Sequence, residues 1–134
     1  MSLAQLDARK AGETPFEFEY VLPNGSGSGV FLSVLGEQCE KVSDEINRLV
    51  NERRRREQMA AVQASNSRPG QAPVASVESD IEFAQKLAAV RLVGWRGIEE
   101  PFTPENGLQL VKSNADAMQQ ILDASKGVTN FLKL

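Results

Sequence analysis

The side chains that most often do chemistry are thinly represented in this chain. It has no histidine and one cysteine, Cys39. Without imidazole it lacks the side chain that titrates near neutral pH and is the commonest metal ligand. One thiol allows no intrachain disulfide, and a zinc site built from Cys and His has no ligand set to draw on. Carboxylates are plentiful but scattered. Glu99 and Glu100 are adjacent and flank a loop, whereas acid–base catalysis needs opposed groups in a shaped cleft. The glycines between Asn24 and Gly29 lack the Lys-Ser/Thr ending of a P-loop and the spacing of a dinucleotide fingerprint. They read as a flexible hairpin tip. No catalytic residue, metal ligand or cofactor is expected.

What remains suited to function is a set of surfaces for contact. Arg53, Arg54, Arg55 and Arg56 form the one dense basic run. On a helix, four consecutive residues point about 100° apart and cannot line one groove. The run is therefore either a solvated helix face or a contact for an acidic surface. With a net charge of −3, bulk electrostatics repel DNA and anionic membranes, and no aromatic residue adjoins the run to stack on bases. Nucleic acid is not an expected partner. Trp95, the single tryptophan, is either a core anchor or an interface hot spot. Phe16, Phe18 and Tyr20 either cover the first long helix or, through a sheet edge, accept a strand from another chain.

These residues need elements to position them. At 134 residues the chain is the size of one domain. Residues 16–22 alternate, with Phe16, Phe18, Tyr20 and Leu22 on one face, and residues 29–35 alternate again. The turn-rich segment between them makes the pair a β-hairpin. A lone hairpin is marginal in water, so it must pack on a helix or on another chain. Residues 37–64 predict a long helix whose apolar stripe (Cys39, Val42, Ile46, Leu49, Val50) fades after Val50. Residues 65–77 contain Pro69, Gly70 and Pro73 and predict a mobile loop. Ser79 to Glu82 has capping-box spacing and predicts the start of a second helix, closed by the glycines bracketing Trp95. Thr103 followed by Pro104 predicts a third, Ser113 or Asn114 a fourth, and Gly127 its end. The expected fold is α+β, mainly α: an arm over residues 1–14, a hairpin over 15–35, and four to five helices in a single domain. The first residues lack the apolar run of a signal peptide, and no stretch approaches a membrane span. The expected setting is a reducing cytoplasm, with no membrane partner.

The run Val90-Arg-Leu-Val-Gly-Trp-Arg-Gly97, followed by Pro101-Phe-Thr-Pro-Glu-Asn106 and ending on Asn130-Phe-Leu132, resembles the tail assembly chaperones of long-tailed, lambda-like phages. The resemblance covers most of residues 15–134. It implies a protein of the host bacterial cytoplasm that binds the tape measure protein, the long helical ruler of the tail, keeps it soluble and promotes tail tube assembly. It implies absence from the mature virion. It also implies a programmed frameshift, with this chain as the short form and an extended form that recruits the tail tube protein. It supplies no catalytic residues. A long amphipathic client exposes apolar stripes that promote aggregation, and a small helical protein can cover such a stripe in a groove. Many copies would be needed. Head-to-tail contacts that do not close would let a homo-oligomer or spiral polymer grow, through the hairpin or the first helix. Candidate interface residues are Phe16, Phe18, Tyr20, Arg53, Arg54, Arg55, Arg56, Trp95, Phe102 and Phe131. The alternative is a small tail-completion or connector protein that stays in the virion.

Overall fold

The computed structural model describes residues 1–65 and 77–132. A 3-10 turn (Ala4–Leu6) and a single helical turn, α1 (Ala8–Ala11), lead into the hairpin of β1 (Phe16–Val21) and β2 (Gly27–Val34). The long helix α2 spans Glu40–Ser65, and α3 spans Val77–Ala89. Strand β3 (Leu92–Arg96), α4 (Pro104–Ser113) and α5 (Ala115–Lys126) complete the chain's regular elements, before a closing 3-10 turn at Val128–Asn130. The α+β, mainly helical expectation holds. The loop expected over residues 65–77 lies almost wholly outside the described residues.

The hairpin forms as its alternation predicts. Phe16 pairs with Val34 and Phe18 with Leu32 across the antiparallel ladder, which sets two aromatic rings beside two fully buried aliphatic side chains. Its tip is closed by Asn24, whose Oδ1 accepts from the Ser26 N–H at 3.0 Å, and by Gly25 at φ +87°.

The sheet differs from the expected pair of strands. Residues 92–96 do not continue a helix to the Gly94–Gly97 region. The helix stops at Ala89, and β3 pairs antiparallel with β2 through Phe31↔Arg96, Leu32↔Trp95 and Ser33↔Gly94. Val93 and Trp95 are of types that favour a pleated, half-buried strand, and β2 supplies the edge. The order is β1-β2-β3, so only β1 and β3 offer outer edges. At Val21, β1's main chain is already engaged: the Gln120 side chain accepts from the Val21 N–H at 3.0 Å and donates to its carbonyl at 2.8 Å. Of the two edges that the strand-accepting alternative could use, the one on β2 is thus taken by β3.

Two apolar clusters hold the elements together. The larger contains Leu32, Val34, Ala88, Leu92, Val111, Ile121, Ala124 and Phe131, with Phe16, Phe18 and Tyr20 packed against it. These aromatics therefore cover α5 and the segment after it, not the long helix. The smaller joins Leu35, Cys39 and Val42 to Ile46 and Val93, so α2 is held mainly by its first turns. Burial along α2 ends with Leu49, as the fading stripe predicts. Helix α4 starts at the expected cap, with the Thr103 hydroxyl accepting from the Asn106 N–H at 3.1 Å. Helix α5 starts on Asn114, whose Oδ1 accepts from the Ala117 N–H at 3.0 Å. Helix α3 begins two residues before Ser79, so the expected capping position falls inside its first turn.

The β2–α2 junction is a knot of main-chain bonds. The Leu35 N–H donates to Arg91 O, the Gly36 N–H to Gly12 O, and the Glu37 N–H to Ser125 O, all at 2.9–3.0 Å. The buried Ser125 hydroxyl donates back to Leu35 O at 2.8 Å. Arg91 is 4% exposed and pairs with Glu37 at 2.7 Å while bonding Leu87 O. Burial of a charge is tolerated when it is paired and hydrogen-bonded. Arg91 thereby locks the end of α3 to the start of α2.

Candidate protein-interaction surface

Because buried apolar contacts hold α2 mainly through its first turns, a cleft of about 520 Å³ opens between it and the α3–β3–α4 side of the molecule. Leu49, Ala89, Val90, Leu92, Phe102 and Leu108 supply apolar walls. Val90 and Leu108 are only partly buried and belong to neither core cluster, so their apolar surface is directed at the cleft. The α2 rim carries Lys41, Glu45, Arg48 and Glu52, four charges of alternating sign at 4-3-4 spacing along one helix face. Arg48 bonds Glu45 at 2.9 Å and reaches Glu52 at 3.5 Å. Lys86 faces them from α3. An apolar floor with a charged rim is the arrangement that receives an amphipathic helix.

The basic run divides along the helix as its angular spacing predicts. Arg53 is not a free contact. It pairs with Glu57 at 3.2 Å and with Asp80 of α3, and its guanidinium lies 4.5 Å from the Phe83 ring centroid. It braces α2 against α3. Arg54, Arg55 and Arg56 are exposed, with Arg56 reaching Glu52 at 3.7 Å. Two turns of helix or less away, Met59 is 61% exposed, and on α3 Ile81 is 54% exposed. The second half of α2 thus presents cations and apolar side chains together.

The aromatic candidates sort into two groups. Phe16 meets Phe131 edge-on at 5.9 Å between centroids and lies near Phe18. The Tyr20 hydroxyl accepts from Asn114 Nδ2 at 2.9 Å. These four residues are brought together as structural core. Trp95 donates its ring N–H to Glu100 O at 2.9 Å and meets Phe102 edge-on at 5.1 Å. Trp95 is therefore an anchor for the loop before α4, while Phe102 reaches the cleft wall. The cleft's α2 rim escaped the sequence reading, although its alternating charges at 4-3-4 spacing were there to be seen.

The sheet face away from the core is held by charge. Arg96 on β3 donates to Glu17 on β1 at 2.9 Å, across β2, and stacks over the Phe31 ring at 3.8 Å. This hydrogen bond holds the Glu17 carboxyl below the usual carboxylate range and raises the Arg96 guanidinium. A depressed folded-state value stabilises above the ordinary carboxylate range, and that contribution disappears as pH falls through the folded value. Glu17→Gln should therefore be less stable than wild type near pH 7, and the difference should be smaller at about pH 3, as the pH falls from the ordinary carboxylate range towards the depressed folded value. Denaturant midpoints of both proteins at the two pH values check this. The effect should be small, as for exposed ion pairs generally.

Among the described residues, no group of three or more His, Cys, Asp or Glu side chains is arranged to hold a metal, and no helix is long and apolar enough to cross a membrane. The site's geometry is that of a small α+β binding scaffold: a three-stranded sheet backed by helices, with a long, loosely held helix framing an apolar cleft. A family model described as phage tail assembly chaperone matches residues 15–127, and the chain belongs to that family. Its members are chaperones rather than enzymes. No curated protein and no solved structure matches the chain.

Proposed function

We propose that this chain binds the tape measure protein in the host bacterial cytoplasm, keeps that long helical client soluble, and leaves before the virion is complete. Family membership over residues 15–127 is the observation that carries the reading. The physical features agree with it. On this reading the protein works by contact, and it has apolar surface to offer around the second half of α2. A client with exposed apolar stripes is an aggregation hazard until it is covered. Several copies acting along one client, joined head to tail, would cover more of it than one. A frameshift-extended form of the same chain would recruit the tail tube protein to this coat.

Co-expression with the neighbouring long helical reading frame tests the proposal. The client should move from the insoluble to the soluble fraction and co-purify with this chain, and the chain should be missing from purified particles. A client that stays insoluble, or a chain retained in finished particles, would count against it; the latter would favour a tail-completion or connector protein.

A further inference from the structure

Besides the cleft and the outer turns of α2, the described residues show apolar exposure on the arm over residues 1–14. Leu3 is 90% exposed and Leu6 50%. Leu3 precedes and Leu6 ends a 3-10 turn, in which residues three apart eclipse, so the two leucines stand on one side. The arm is nevertheless built, not trailing. Asp7 caps α1 by accepting from the Lys10 N–H at 3.1 Å. Its base is fixed where the Gly36 N–H donates to Gly12 O at 2.9 Å, with backbones so close that a Cβ on Gly36 would fall 2.8 Å from Gly12 Cα. A firmly seated base thus projects two leucines into solvent. Their exposure means the arm does not fill the cleft of its own chain. The family match begins at residue 15, so the arm lies outside the matched region.

We infer that the arm of one copy docks, through Leu3 and Leu6, into the α2–α3–α4 cleft of the next copy. This rests on the proposed coat of several copies and names the contact that would join them. The sizes are compatible. The arm is two short turns, Ala4–Leu6 and Ala8–Ala11, broken at Asp7, and the cleft's α2 rim from Lys41 to Glu52 is longer, roughly 17 Å. The charges agree as well. Asp7, Arg9 and Lys10 on the arm make no ion pair among the described residues, nor does Lys41 on the rim. Asp7 can meet Lys41, and Arg9 or Lys10 can add to Glu45, an exposed carboxylate that Arg48 also holds. Arm and cleft are different surfaces of the same chain, so each docking leaves a fresh arm and a fresh cleft. The contact is heterologous, and nothing in it requires closure.

Two variants separate the halves of the contact. Leu3→Asp with Leu6→Asp disables the arm, and Leu108→Glu disables the cleft; Val90→Arg replaces the latter should Leu108→Glu melt early. Sedimentation velocity over a concentration range should show wild type growing beyond the one-chain mass and each variant staying at it. An equimolar mixture of the two variants should rise to twice the one-chain mass and stop, because one working arm meets one working cleft. A wild type that stays monomeric, an arm variant that associates like wild type, or a mixture that forms no dimer would overturn the inference. Co-expression with the client runs in parallel. The arm variant should still shift the client to the soluble fraction, which keeps client binding distinct from self-association. An arm variant with full self-association, beside a cleft variant that loses client rescue, would assign the cleft to the client and overturn the docking.

Discussion

Ile121→Ala should lower the stability of the fold by about 2–5 kcal/mol, the range for removing a large aliphatic side chain from a packed interior. Ile121 is fully buried on α5 and belongs to the cluster that joins the central strand to the helices through Leu32, Val34, Ala88, Leu92 and Val111. Truncation leaves space that strand and helices cannot both move to fill, since β2 is flanked by β1 and β3 and α5 is bonded to the β2–α2 junction through Ser125. Ile81 on α3 supplies the contrast. It is the same residue type but 54% exposed, and its replacement by Ala should change stability by no more than about 0.5 kcal/mol. Denaturant titration of both variants checks the pair. Equal, small effects would show that the cluster around Ile121 is not the core of the fold.

Gly97→Ala should be the most damaging single-atom-group addition at the sheet. Gly97 sits at φ +89°, a conformation that costs an L-residue roughly 1–2 kcal/mol. A Cβ there would also stand 2.3 Å from Gly29 O and 3.1 Å from the Val30 Cα. Both are backbone atoms at the start of β2, so no side-chain rotation relieves the clash, and β3 must shift off its partner. The expected loss exceeds the conformational cost alone. Trp95 is paired to Leu32 in that ladder and reports the shift: its fluorescence should move to longer wavelength as the ring loses the Glu100 carbonyl and Phe102. Gly94→Ala, whose Cβ would meet nothing closer than Ser33 Cβ at 3.9 Å, should leave both stability and fluorescence nearly unchanged. If the two glycine variants behave alike, the close approach of Gly97 to β2 is wrong.

These two positions also mark how far the sequence could be read. Local signals were legible. Alternation placed β1 and β2, because the side-chain period of a strand is short enough to show in six residues. Thr103-Pro104 and Asn114 placed the starts of α4 and α5, because a cap is an interaction between residues three apart. The end of burial on α2 was legible in the loss of its apolar stripe after Val50. Strand β3 was not. Its five residues follow a helix, with Gly94 before Trp95 and Gly97 just past the strand's end, and nothing local distinguishes a helix terminus there from a strand. What decides is the edge of β2, about 60 residues earlier in the chain. The partners of Phe16, Phe18 and Tyr20 were missed for the same reason: a half-buried aromatic face shows that something covers it, not whether that cover is α2 or α5. The angular argument on Arg53 to Arg56 anticipated that the four could not act together, but the seating of Arg53 on Phe83 and Asp80 depends on where α3 comes to lie. The cleft is wholly non-local, formed where α2 leaves its anchor and α3, β3 and α4 supply the facing wall.

Proteins that act by contact are poorly served by motif reading for this reason. Catalytic chemistry demands particular atoms at particular spacings, which a sequence can display directly. A binding face demands only apolar surface left uncovered, and that depends on which stripes the tertiary structure consumes. Here it consumes the aromatic strand face, Trp95 and Phe131, leaving the cleft, the outer turns of α2 and the arm.

The central claim is that the apolar side chains left exposed around the outer turns of α2 shelter a long helical polypeptide. The most direct test dilutes purified tape measure protein from denaturant, with and without this chain, and follows light scattering. Scattering should fall progressively as the chain is added, and the client should sediment as a soluble complex with several copies bound. Scattering that is the same with the chain as with an equal mass of an unrelated acidic protein, and no complex on sedimentation, would contradict the account.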